Sequence, residues 1–135
     1  MDRNKTQIAQ TVLRVLVVDD SESVRRGICR LLRSQADIDV ICEASNGSDA
    51  VRMALEHKPD VVLMDVSMAV MNGLDAARRI KHELPSTEIL TVSQFDSPPF
   101  EREVVVAGAA GYILKSDAAK ELIPALRKFR SLSRS

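Results

Sequence analysis

The chain has 135 residues, the length of one domain, and its 45% hydrophobic and 28% charged residues are the balance of a folded globular protein, not of a disordered chain. Nineteen Lys and Arg against nineteen Asp and Glu leave no formal net charge, which argues against a basic nucleic-acid surface or a polybasic membrane anchor. Aromatic residues are only 3% of the chain, with no Trp and one Tyr, so the core must be aliphatic and a base-stacking platform is not expected.

The opening MDRNKTQIAQ is polar and lacks the apolar centre of a signal peptide, and residues 1–11 read as an extended or disordered tail. The first predicted strand, 13–18, runs LRVLVV straight into Asp19 and Asp20. Adjacent carboxylates are costly there: two unit charges about 4 Å apart repel by roughly 4 kcal/mol at an effective dielectric near 20. Ser21 then offers an N-cap, and Val24, Ile28, Leu31 and Leu32 follow at helical spacing. A short strand at 40–43 leads to Gly47-Ser48, with Ser48 as a cap, and to a helix carrying Val51, Ala54 and Leu55. The strand VVLM at 61–64 ends on Asp65, and Leu74, Ala77 and Ile80 mark the next helix.

A strand at 88–92 ends near Ser93. Ser97 caps a helix that Pro98 and Pro99 open well, because the first helical turn needs no backbone donors. The apolar run 104–114 is too short to span a bilayer and holds two Gly; it supplies a strand at 112–114 that ends on Lys115. Ser116 then caps a last helix with Leu122, Ala125, Leu126 and Phe129 on one face. Pro124 lies inside that pattern, where it should kink the helix or delay its regular part. From Lys128 the apolar period is lost and the chain reads as frayed, so the domain is set at 12–130 and a tail at 131–135. Cys29 and Cys42 read as buried reduced thiols, and His57 and His82 as surface residues without ligand spacing.

Five strand–helix units in strict alternation predict a doubly wound α/β domain, a parallel sheet with helices on both faces. Ligands of such sheets bind beyond the carboxyl ends of the strands. Asp19, Asp20, Asp65, Ser93 and Lys115 all stand at those ends. Three carboxylates sharing one pocket call for a hard cation, and oxygen ligands suit Mg²⁺. With Lys115 as a fixed charge, the set fits a carboxylate nucleophile that forms an aspartyl phosphate: Asp65 as nucleophile, Asp19 and Asp20 as metal ligands. Neither GxGxxG nor GxxxxGK[ST] occurs, which argues against a nucleotide-binding enzyme of similar fold.

VVDD, MDVSMAVMNG, TVSQ and GAAGYILK, in that order and each at a strand end, resemble a response-regulator receiver domain of the CheY-like superfamily, most of all the NarL/FixJ type. The resemblance covers residues 13–129. It implies a flavodoxin-like (βα)5 fold with strand order 2-1-3-4-5. It also implies that Asp65 accepts the phosphoryl group, that Asp20 ligates Mg²⁺ directly and Asp19 mainly through water, and that the Ser67 carbonyl completes the metal site. Ser93 matches the switch hydroxyl, Tyr112 the aromatic that turns with it, and Lys115 the phosphate-binding lysine. A sensor histidine kinase would be the donor. The face of the fourth helix, fifth strand and fifth helix, residues 97–126, would meet partners or a second copy.

The chain departs from the family pattern at Ala69 and Ser116, where Pro is usual, and carries a bulky Phe95 two residues past Ser93. Before Ser116 a trans peptide is expected, because a cis bond there costs about 2.5–4 kcal/mol. The resulting expectation is a cytoplasmic signalling switch, not an enzyme turning over an external substrate, with no direct contact to nucleic acid or membrane. One rival is a phosphorylation-independent receiver. Another is an aspartyl-phosphate hydrolase, which typically needs a second acid just past the nucleophile, where Val66 and Ser67 offer none. Whether the chain stands alone or belongs to a longer DNA-binding regulator stays open in the sequence.

Overall fold

The computed structural model describes residues 12–66, 73–94 and 98–134. Five strands, β1 (Leu13–Val18), β2 (Ile38–Ala44), β3 (Val61–Asp65), β4 (Glu88–Ser93) and β5 (Gly111–Leu114), alternate with helices α1 (Glu22–Arg33), α2 (Gly47–His57), α3 (Gly73–Glu83), α4 (Pro98–Val106) and α5 (Ala118–Arg134). The strands are all parallel and lie in the order β2-β1-β3-β4-β5, the predicted order. Side chains alternate across each strand, so the aliphatic runs feed two separate cores. Leu16, Val18, Val62, Met64 and Ile89 pack under α2, α3 and α4; Val15, Val17, Val61, Leu63, Leu90 and Ile113 pack under α1 and α5.

The strands at 13–18 and 61–64 match their predicted bounds to within a residue, since their aliphatic residues are all buried. β2 is longer than its predicted 40–43 because it lies at the sheet edge, where an exposed Asp39 costs nothing and does not end the strand. Its register with β1 slips between Val15 and Leu16, which leaves Ile41 as the extra residue of a bulge.

Two predicted caps are corrected. Asn46, not Ser48, caps α2: its Oδ1 accepts from the Asp49 N–H at 2.8 Å and its Nδ2 donates to Asp49 Oδ2 at 3.1 Å. Ser116 caps nothing, because Lys115–Asp117 form a 3₁₀ turn before α5 begins at Ala118. Ser21 caps α1 as predicted, accepting from the Val24 N–H at 3.4 Å. α4 starts on Pro98, while Ser97 lies outside the described residues.

α5 runs through Pro124 without a late start and continues to Arg134, past the last apolar residue of its stripe. Cys29 is buried and Cys42 half-buried; both are free thiols. Burial, then the Glu43 charge, pushes the Cys29 thiol up to about 11, so it stays protonated. His82 is exposed and His57 half-buried at the end of α2. No helix among the described residues is long and apolar enough to cross a membrane.

Candidate functional site: an acid pocket at the strand ends

β1 and β3 are neighbours, and both end on acids at the same edge of the sheet. That adjacency brings Asp19, Asp20 and Asp65 together, with one carboxylate oxygen from each within 4.8 Å of the others. Asp19 and Asp65 are each 1% exposed, whereas Asp20 faces outward. Lys115, the first residue past β5, reaches back over the sheet. Its Nζ lies 3.2 Å from Asp19 Oδ2 and 3.3 Å from Asp65 Oδ2.

The Asp19 side chain serves two partners. Oδ1 accepts from the Ser21 N–H at 2.9 Å, which shapes the turn into α1. Oδ2 is buried and has the Lys115 ammonium beside it, without a well-aligned hydrogen bond. Burial, and then the negative charge of Asp65, hold the Asp19 carboxyl above its ordinary value against the Ser21 N–H and Lys115. Burial pulls the Lys115 ammonium down, but the charges of Asp65 and Asp19 outweigh it and leave the group raised. Three carboxylates against one ammonium leave an excess of two negative charges when all are ionised. A buried carboxylate oxygen that faces the Lys115 ammonium without a well-aligned hydrogen bond, and that excess charge, both fit a divalent, oxygen-seeking cation such as Mg²⁺.

Ser93 is fully buried at the end of β4 and pairs with Leu114, the residue before Lys115. Tyr112 pairs with Thr91, packs against the core under α2–α4, and buries its hydroxyl oxygen. Thr91 and Ser93 are two apart on β4, so both point to the face on which Tyr112 packs. The structure thus brings Asp19, Asp20, Asp65 and Lys115 together, with Ser93 at the same strand ends. Ser67, Ala69 and Phe95 lie outside the described residues. The Lys115–Ser116 peptide is trans, as expected.

Two residues at the site carry no strong signal in the sequence. Gly73 opens α3 directly against β3, where a Cβ would strike the Asp65 carbonyl oxygen and the Val66 Cα. It closes the MDVSMAVMNG motif, but the sequence does not show the close approach to β3 that requires it. Arg25, one turn into α1, donates through Nη1 to the Asp19 carbonyl at 2.8 Å and through Nε to Glu43 Oε1 at 3.1 Å. Arg25 shares a helix face with the buried Cys29 and Leu32, but the sequence does not show which atoms it reaches.

A five-stranded parallel sheet of this order, with an acid pocket and a lysine at its strand ends, defines the CheY-like receiver fold. The family model for the response regulator receiver domain matches residues 15–127, and the chain belongs to that family. It is 43% identical over 116 residues to the transcriptional regulatory protein LiaR of Bacillus subtilis, covering 86% of this chain and 55% of LiaR. It is 40% identical over 116 residues to the response regulator VraR of Staphylococcus aureus, covering 86% of this chain and 56% of VraR. Among solved structures, the NarL signal receiver domain of Mycobacterium tuberculosis superposes with a TM-score of 0.83 at 33% identity, covering 89% of this chain and 97% of that one. The chain is thus a two-component receiver domain of the NarL/LuxR type, and it spans about half the length of the curated relatives it matches.

Proposed function

We propose that this receiver accepts a phosphoryl group on Asp65 from the phosphohistidine of a sensor kinase, in a reaction that requires Mg²⁺. The observation that carries the reading is the buried Asp65 carboxylate, 3.3 Å from Lys115 and grouped with Asp19 and Asp20. An Asp65 oxygen forms the bond to phosphorus as the N–P bond of the donor breaks, and the electron pair leaves with the imidazole, which takes up a proton. Lys115 sits where it would bind one phosphoryl oxygen, so the charge that now faces Asp19 and Asp65 would turn to the incoming group. Asp19, Asp20, Asp65 and the Ser67 main-chain carbonyl would hold the cation. When bound, Mg²⁺ supplies positive charge to the remaining phosphoryl oxygens.

Phosphorylation would draw Ser93 toward Asp65 and let Tyr112 follow on the same face of the sheet. The added charge shifts a population between two states only through its different contacts in each. The face of α4, β5 and α5 would read that shift. A groove of about 580 Å³ beside Tyr112, lined also by Lys120, Pro124 and Lys128, supports a docking role there for a partner or a second copy. So do Val105 and Val106 of α4, which are 68% and 78% exposed. LiaR is named a transcriptional regulator, so a longer protein would use this receiver to govern a DNA-binding part, in the cytoplasm and without turnover of an external substrate.

Intact-mass measurement after incubation with Mg²⁺ and acetyl phosphate tests the chemistry. Wild-type protein should gain one phosphoryl group, with acetate leaving, and Asp65→Asn should gain none. No gain by folded wild-type protein that binds Mg²⁺ would favour a phosphorylation-independent module instead.

A further inference from the structure

We propose that Arg25 is a positioning residue for the acid pocket, setting the Asp19–Asp20 peptide plane so that both carboxylates meet a divalent cation. The inference rests on the functional reading above. The Asp19 main chain is gripped at both ends. Its N–H donates to the Ala44 carbonyl of β2 at 3.1 Å, and its carbonyl accepts from Arg25 Nη1 at 2.8 Å. Peptide bonds are planar, so a fixed Asp19 carbonyl also fixes the N and Cα of Asp20. Asp20 is exposed and makes no ion pair among the described residues, so nothing in its own side chain sets its direction. The orientation of that carboxylate therefore comes from the backbone that Arg25 holds.

Arg25 is itself well held. Its N–H bonds to the Ser21 carbonyl at 2.9 Å, its side chain is only 17% exposed, and Nε is tied to Glu43 Oε1 at 3.1 Å. Glu43 also offsets the guanidinium charge, which would otherwise oppose a cation close by. A lysine has the charge but not the fork, and would not serve the Asp19 carbonyl and Glu43 together. Arg33 provides a control: it reaches Glu43 Oε2 at 3.5 Å but does not touch Asp19.

The test is Mg²⁺ affinity by titration calorimetry, with folding checked by circular dichroism. Arg25→Ala should bind about 10-fold more weakly than wild type, the usual cost of losing a residue that orients a metal ligand. Arg25→Lys should fall between the two, and Arg33→Ala should keep wild-type affinity. A folded Arg25→Ala with wild-type affinity overturns the positioning role and leaves the functional reading standing. If Arg25→Ala does not fold, Arg25→Lys decides: full wild-type affinity there overturns the role. Wild-type protein that binds no Mg²⁺ overturns both.

Discussion

At the scale of residues, the pocket is a cluster of like charges held together by one ammonium. Lys115→Ala would leave the buried Asp19 and Asp65 without that counter-charge, at a cost of about 3 kcal/mol. Chemical denaturation in Mg²⁺-free buffer should show the loss, and added Mg²⁺ should stabilise the variant more than the wild type. The raised Asp19 carboxyl gives a pH dependence of definite sign. The folded state holds that proton more tightly than the unfolded chain, so without metal its ionisation weakens the fold as pH climbs from the ordinary carboxylate range through the raised value. Mg²⁺ needs the ionised form, so its stabilising effect should shrink as pH falls through the same window, which thermal melts at paired pH values with and without Mg²⁺ would reveal. Lys115 acts in the same sense at higher pH: its raised ammonium contributes stability fully below its ordinary value, and that is lost as pH rises through the folded one. Asp19, Asp20, Asp65, Ser93 and Lys115 were legible in the sequence because strand ends and acids are both visible there. Gly73 and Arg25 were not, because each acts through a main-chain atom of another element, and a one-dimensional pattern does not show which backbone a side chain will meet.

At the scale of elements, the sequence placed every strand and helix, and missed at the ends where local polar chemistry decides. Ser48 looked like a cap, but Asn46 forms the reciprocal pair with Asp49 and starts α2 earlier. Ser116 looked like another, but Lys115 leaves the sheet through a 3₁₀ turn. Pro124 is the sharpest conflict between local rule and fold. It is the seventh residue of α5, so the Lys120 carbonyl loses its usual donor, yet Leu122 and Leu126 on either side are fully buried. Packing of that stripe keeps the helix continuous against the cost of the proline. Pro124→Ala should therefore raise unfolding stability by about 1–3 kcal/mol, read as a higher denaturant midpoint with unchanged slope. No gain would mean that the helix has already relaxed around the proline.

At the scale of the whole molecule, the receiver fold keeps its acid pocket at the strand ends and its candidate docking groove alongside. The strict alternation of strand and helix units, with continuous aliphatic strand runs, made the two-faced architecture readable, whereas the groove was not readable, since it arises only when α5 lies beside β5. The two cores share no residue: one lies under α2, α3 and α4, the other under α1 and α5. The backbone layer between them acts as a partition. Substitutions on opposite sides should then behave as independent events. In a double-mutant cycle, Ile80→Val on one side and Leu126→Ala on the other should each destabilise the protein, with a coupling energy below about 0.5 kcal/mol. Sequence drift on one side would not call for compensation on the other, and the helices over one core and those over the other could diversify at separate rates.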